Sequence, residues 1–135
     1  MTRLTVLKDE DPILRRQSIS TFLTEDVKDL VRDMKETMLA ENGIGLSAPQ
    51  VGVNLRVIVI QLMSAGKLVD ESHGLSPVQE MINPVITQTS EECVYCEEGC
   101  LSIPGEYMKI KRPKSIHVKF QTLSGKYKKW YLRGL

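Results

Sequence analysis

Gly43-Ile44-Gly45-Leu46-Ser47-Ala48-Pro49-Gln50 lies between a helical pattern and a strand pattern, and its reading decides the fold. Upstream, Thr24 reads as a helix N-cap, with Glu25 and Asp26 in the first turn where carboxylates complement the helix dipole. Val27, Leu30, Val31, Met34, Met38 and Leu39 then fall on one face. This spacing predicts an amphipathic helix to about Ala40, stopped by Asn42-Gly43. Downstream, Leu55-Arg56-Val57-Ile58-Val59-Ile60 is rich in β-branched residues and predicts a largely buried strand.

Residues 63–79 hold Ser, Gly, Lys, Asp, Glu and Pro without a period and read as a surface loop. Met81-Ile82-Asn83-Pro84-Val85-Ile86 reads as a short edge strand, because Pro84 cannot donate to a ladder. Ile116, Val118 and Phe120 alternate with His117, Lys119 and Gln121, a half-buried strand. Ser124-Gly125 turns the chain, and Tyr127 to Leu132 pairs back as a hairpin. One N-terminal helix followed by mostly antiparallel strands is an α+β domain, taken as a single domain over residues 1–135.

The hydrophobic fraction of 41% is that of an ordinary globular protein. A net charge of +1 gives no electrostatic case for nucleic acid or an anionic membrane. Lys109, Lys111, Arg112, Lys114, Lys126, Lys128 and Lys129 are spread over strand patterns and read as a solvated face. No apolar run approaches the ~20 residues of a bilayer span. Met1-Thr2-Arg3-Leu4 with Lys8-Asp9-Glu10-Asp11 behind it is not a secretory signal, so the cytoplasm is the expected compartment. The cysteines, Cys93, Cys96 and Cys100, are odd in number and clustered, which suits a reducing environment better than a disulfide framework.

Gly43 and Gly45 offer backbone freedom and close approach to a ligand. A phosphate loop is excluded, since no G-K-[ST] follows and the next element is a strand. Gln50 reads either as a surface residue or as a donor to a developing oxyanion. Cys93-x-x-Cys96-x-x-x-Cys100 lacks the fourth ligand of a structural zinc or iron–sulfur site. Positions 93 and 96 of a strand also point to opposite faces.

Glu97-Glu98-Gly99-Cys100-Leu101-Ser102 and the 43–50 segment resemble two of the three active-site motifs of the peptide deformylases. Val6-Leu7, Asp11-Pro12-Ile13-Leu14-Arg15, Ile103-Pro104-Gly105, Tyr107 and Arg112 extend the resemblance over nearly the whole chain. It implies a metal hydrolase that removes the N-formyl group from the initiator methionine of nascent chains at the ribosome. The implied cofactor is a divalent metal, Fe(II) first, with Zn, Ni or Co found in preparations. Carried over by position, Cys100 is the thiolate ligand. Gln50 and the Leu101 backbone N–H donate to the formyl oxygen. Gly43, Ile44, Gly45 and Glu98 bind the peptide and shape the methionine pocket. Ser47 stands where the family commonly has alanine.

The third motif of the family, a metal-binding H-E-x-x-H helix, does not occur in these 135 residues. His73 and His117 are not expected to replace its ligands. The expected fold is therefore a deformylase domain whose central helix is absent from this chain, as in the N-terminal part of a longer protein. Ile58, Ile60 and Val118 would then face little cover, which predicts self-association through the apolar sheet face. The alternative function is a truncated or inactive relative that binds formyl-Met or Met peptides without catalysis.

Overall fold

A computed structural model describes residues 3–8, 10–61, 63–64, 67–68 and 78–133. Helix α1 runs Glu25–Ala40. The strands are β1 (Gly45–Ser47), β2 (Val57–Gln61), β3 (Met63–Ser64), β4 (Lys67–Leu68), β5 (Val78–Thr89), β6 (Cys93–Cys100), β7 (Ile103–Pro113), β8 (Ser115–Gln121) and β9 (Tyr127–Arg133). Short 3₁₀ turns cover Pro12–Arg15 and Ala48–Val51. The main sheet has the order β1-β2-β5-β8-β9, while β3-β4 and β6-β7 form separate two-stranded ribbons. Every ladder between named strands is antiparallel, as the α+β reading expects.

Helix α1 forms where its pattern places it. Thr24 Oγ1 accepts from the Val27 N–H at 3.2 Å, closing the first turn. At the other end Gly43 N donates to Met38 O at 2.9 Å and Asn42 N to Leu39 O at 3.2 Å, a Schellman ending. Asn42, not Gly43, takes the left-handed conformation there, with φ 57°. Val27, Val31, Met34 and Met38 are buried against Leu46, Val57, Val59 and Ile82 of the sheet. Leu39 lies off this face and is half exposed.

The pleat sends alternate residues of β2 to opposite faces. Val57 and Val59 meet α1, whereas Ile58 and Ile60 join a second cluster around Met81, Val118 and Phe120. The expected bare face is therefore partly closed. Val118 is 4% exposed, and Phe120 stands edge-on to Trp130 with ring centroids 5.0 Å apart. Ile58 and Ile60 are half-buried, while Val85 and Ile86 of β5 are exposed.

Two expectations need correction. Strand β5 is the centre of the main sheet, not its edge. Pro84 is tolerated because the register shifts between Ile82 and Val85, a bulge that needs no proline N–H. Asn83 turns at φ 53° and exchanges hydrogen bonds with Thr21, at 2.9 Å and 2.8 Å. Arg56 donates to Pro84 O at 2.5 Å. The segment read as a loop over 63–79 contains the β3-β4 ribbon and the first two residues of β5; residues 69–77, with His73, lie outside the described residues.

Candidate active site

The 43–50 segment becomes β1 followed by a 3₁₀ turn. Ser47 caps that turn, Pro49 sits in its first positions, and Gly52 ends it at φ 89°. The S-x-x-Q spacing is that of a capping box. The Ser47 N–H accordingly donates to Gln50 Oε1 at 3.0 Å, and the Ser47 hydroxyl donates to the same oxygen at 3.1 Å. Gln50 is thus folded back over its own turn and does not extend into solvent.

The second motif closes the β6-β7 ribbon. Register runs from Cys93 opposite Pro113 to Gly99 opposite Tyr107, then jumps to Cys100 opposite Ile103. Pro104, Gly105 and Glu106 are left without opposite partners, with Gly105 at φ 78°. Such a bulge bends a ribbon sharply. The tip, Leu101-Ser102, folds onto the main body: Leu101 packs on the α1 core and Ser102 is 3% exposed.

This docking brings the two motifs together. Gln50 Nε2 lies 3.5 Å from Cys100 Sγ and 3.3 Å from Ser102 Oγ, and donates toward both. Gln50, Cys100, Ser47 and Ser102 line one open cavity of about 620 Å³, with Arg15, Arg56, Ile58 and Ile103 around it.

The other sequence-derived residues play different parts. Gly43 does not need unusual backbone angles; it needs space. A Cβ there would stand 2.8 Å from Leu101 Cδ1, so the missing side chain lets the ribbon tip dock. Gly45 has room for a Cβ, with its nearest neighbour at 3.8 Å. Ile44 is exposed, and its carbonyl accepts from Gln61 N at 2.9 Å. Glu98 faces Arg112, whose Nε and a terminal nitrogen donate to its two oxygens at 2.9 Å and 2.8 Å. That pairing holds the Glu98 carboxyl below the usual glutamate range. His117 is exposed beside Tyr131, as its strand pattern predicts. Cys93 lies at the far end of β6, about 23 Å from Cys100 at the rise of an extended strand, so the two cannot share an ion.

Sequence reasoning missed Ser102 and the clasp of Ser47 on Gln50. Ser102 lies within the 97–102 motif, but nothing local shows its contact with Gln50, 52 positions away. Ser47 did carry one, the capping-box spacing, which was legible beside the glycines.

An exposed thiol beside an amide N–H suits one ligand position of a soft or borderline divalent metal. Among the described residues there is no group of three or more His, Cys, Asp or Glu placed to hold an ion. The described residues therefore offer one ligand and not a complete set.

An α+β body with a docked cysteine ribbon facing a glutamine turn defines a class for which the comparisons give a family. The polypeptide deformylase family model matches residues 3–135, and the chain belongs to that family. It is 39% identical over 117 residues to peptide deformylase 1 of Nostoc sp., covering 86% of this chain and 59% of that protein. It is 38% identical over 133 residues to the Prochlorococcus marinus peptide deformylase, covering 98% of this chain and 63% of the relative. The chain therefore spans less than two thirds of the length of these curated relatives. Among solved structures, a probable peptide deformylase from a Synechococcus phage superposes with TM-score 0.85 at 42% identity, over 97% of this chain and 84% of that one. The Thermotoga maritima peptide deformylase superposes with TM-score 0.85 at 34% identity, over 99% and 84%.

Proposed function

We propose that the protein carrying this chain is a metal-dependent peptide deformylase acting on N-formyl-methionyl peptides, as nascent chains at the ribosome, in the cytoplasm. The observation that carries the reading is the Gln50 side-chain amide facing the Cys100 thiol in a chain of this family.

In the reaction a water adds to the formyl carbon, the C–N bond breaks, and formate leaves the free amine of methionine. Negative charge develops on the formyl oxygen as the water adds. Donors already aimed at that oxygen lower the barrier, because no reorganisation is needed at the moment of reaction. Gln50 Nε2 and the Leu101 backbone N–H are the proposed donors. The peptide backbone would run along Gly43, Ile44 and Gly45, and Glu98 would border the methionine pocket. A divalent metal, Fe(II) in the native protein and Zn, Ni or Co on substitution, supplies Lewis acidity when bound and lowers the pKa of water toward neutrality. Cys100 would be one of its ligands.

The test is turnover of formyl-Met-Ala-Ser by the natively expressed gene product. Gln50→Ala is expected to lower kcat by about 10²-fold or more, the loss of one oxyanion donor. Metal-loaded parent protein that binds the peptide without releasing formate would overturn the reading in favour of a binding module.

A further inference from the structure

The Gln50 amide could in principle present either its oxygen or its nitrogen to Cys100, and only the nitrogen can donate. The chain decides between them. The Ser47 backbone N–H is an obligatory donor, so the Gln50 atom 3.0 Å away must be the oxygen. The Ser47 hydroxyl, 3.1 Å from that oxygen, donates to it as well. With Oε1 doubly held, Nε2 is turned toward Cys100 Sγ and Ser102 Oγ.

We infer that Ser47 is a positioning residue: its hydroxyl locks the Gln50 amide so that Nε2 points permanently at the reacting centre. The inference rests on the deformylase reading for its consequence, and on hydrogen-bond geometry alone for its structure. A freely rotating glutamine samples orientations that aim its oxygen at the developing oxyanion, which repel it. The clasp removes those orientations before substrate arrives. The backbone N–H of residue 47 would hold Gln50 whatever side chain stands there. The hydroxyl is a second restraint, one that alanine at this position cannot supply. Ser102 completes the arrangement from the other side. It is buried, and it accepts from Nε2 without competing for Oε1.

Ser47→Ala and Ser47→Thr test the inference through two readouts. The first needs no activity: proton exchange of the Gln50 side-chain NH₂, followed by ¹⁵N NMR and assigned by its loss in Gln50→Ala. Exchange is expected to quicken in Ser47→Ala and to stay near the parent rate in Ser47→Thr, which keeps the hydroxyl. The second is steady-state deformylation. Ser47→Ala is expected to lower kcat by about 2- to 10-fold, the worth of one neutral hydrogen bond, with KM unchanged and kcat restored in Ser47→Thr. Unchanged NH₂ exchange in Ser47→Ala would overturn the positioning role, as would a change in KM alone. A parent protein without turnover, in which exchange still depends on the hydroxyl, would sink the deformylase reading and leave the clasp standing.

Discussion

The main body and the β6-β7 ribbon are built on different principles. In the body, Val31, Met34, Met38, Val57, Val59 and Ile82 are fully buried between helix and sheet. In the ribbon, Tyr95, Tyr107 and Met108 are each about two-thirds exposed or more, and an ion pair and an aromatic lid take the place of a core. Tyr107 lies over Gly99, where a Cβ would meet its Cε1 at 2.6 Å. At its base the ribbon continues from β5 and β8, with Ser90 N donating to Ser115 O at 2.9 Å, and at its tip it docks on the body again through Leu101 and Ser102. The difference teaches how the site is assembled: Gln50, held by the packed body, faces Cys100, carried by the thinly packed ribbon, across the seam between them.

The largest effect should come from the body. Met34→Ala leaves a cavity in a fully buried site and is expected to cost about 2–5 kcal/mol in urea unfolding. Tyr107→Ala in the ribbon removes an exposed side chain and should cost well under half of that. Equal losses would break the contrast between the two regions.

An intermediate effect is expected at Glu80, a charged group set into the body. Burial pushes its carboxyl up, but hydrogen bonds from Lys35 Nζ at 2.8 Å and the Leu123 N–H at 2.9 Å outweigh this and leave it below the ordinary value. A carboxyl lowered in the folded state contributes stability that is present above its unfolded pKa and lost as pH falls through its folded one. The body should therefore weaken as pH drops below about 4.3, the unperturbed glutamate value, and Glu80→Gln should flatten that part of the profile. Removing the acceptor altogether, as in Glu80→Ala, should cost about 1–3 kcal/mol at neutral pH by stranding the Lys35 and Leu123 donors. A parallel acid limb in Glu80→Gln would assign the weakening to other carboxylates.

The smallest effect belongs to the ribbon's ion pair. Glu98 and Arg112 are bidentate but solvent-facing, with side chains 33% and 54% exposed. Arg112→Met should cost under about 1 kcal/mol, and less at high salt. The sign with pH matches that of Glu80, since the Glu98 carboxyl is also lowered. A salt-independent loss of several times this size would mean that the ribbon holds the body together, contrary to the comparison.

Much of the body was legible in the sequence. The α1 face, the Thr24 cap and the β8-β9 alternation are local patterns, and each appears where its residues place it except at Leu39, which was read onto the α1 face and is half exposed. The 43–50 and 97–102 segments were also legible as a pair, although neither spacing says how they meet. The remainder depends on contacts that local patterns do not carry. Pro84 reads as an edge signal until Arg56 and Thr21 are seen to support a bulge at Asn83. Gly43 reads as a conformational residue until Leu101, 58 positions on, is found in the space it leaves. The Lys35–Glu80 pair spans 45 positions and has no periodic trace. The seam is hardest to read because its geometry comes from docking a ribbon onto a turn.

The most direct test of the seam as an active site is the metal content of the natively expressed protein, with Cys100→Ala measured beside Cys93→Ala. One equivalent of divalent metal in the parent and in Cys93→Ala, and none in Cys100→Ala, is the predicted result. Metal retained in full in Cys100→Ala would contradict the account, because Cys100 would then not be a required ligand of the ion.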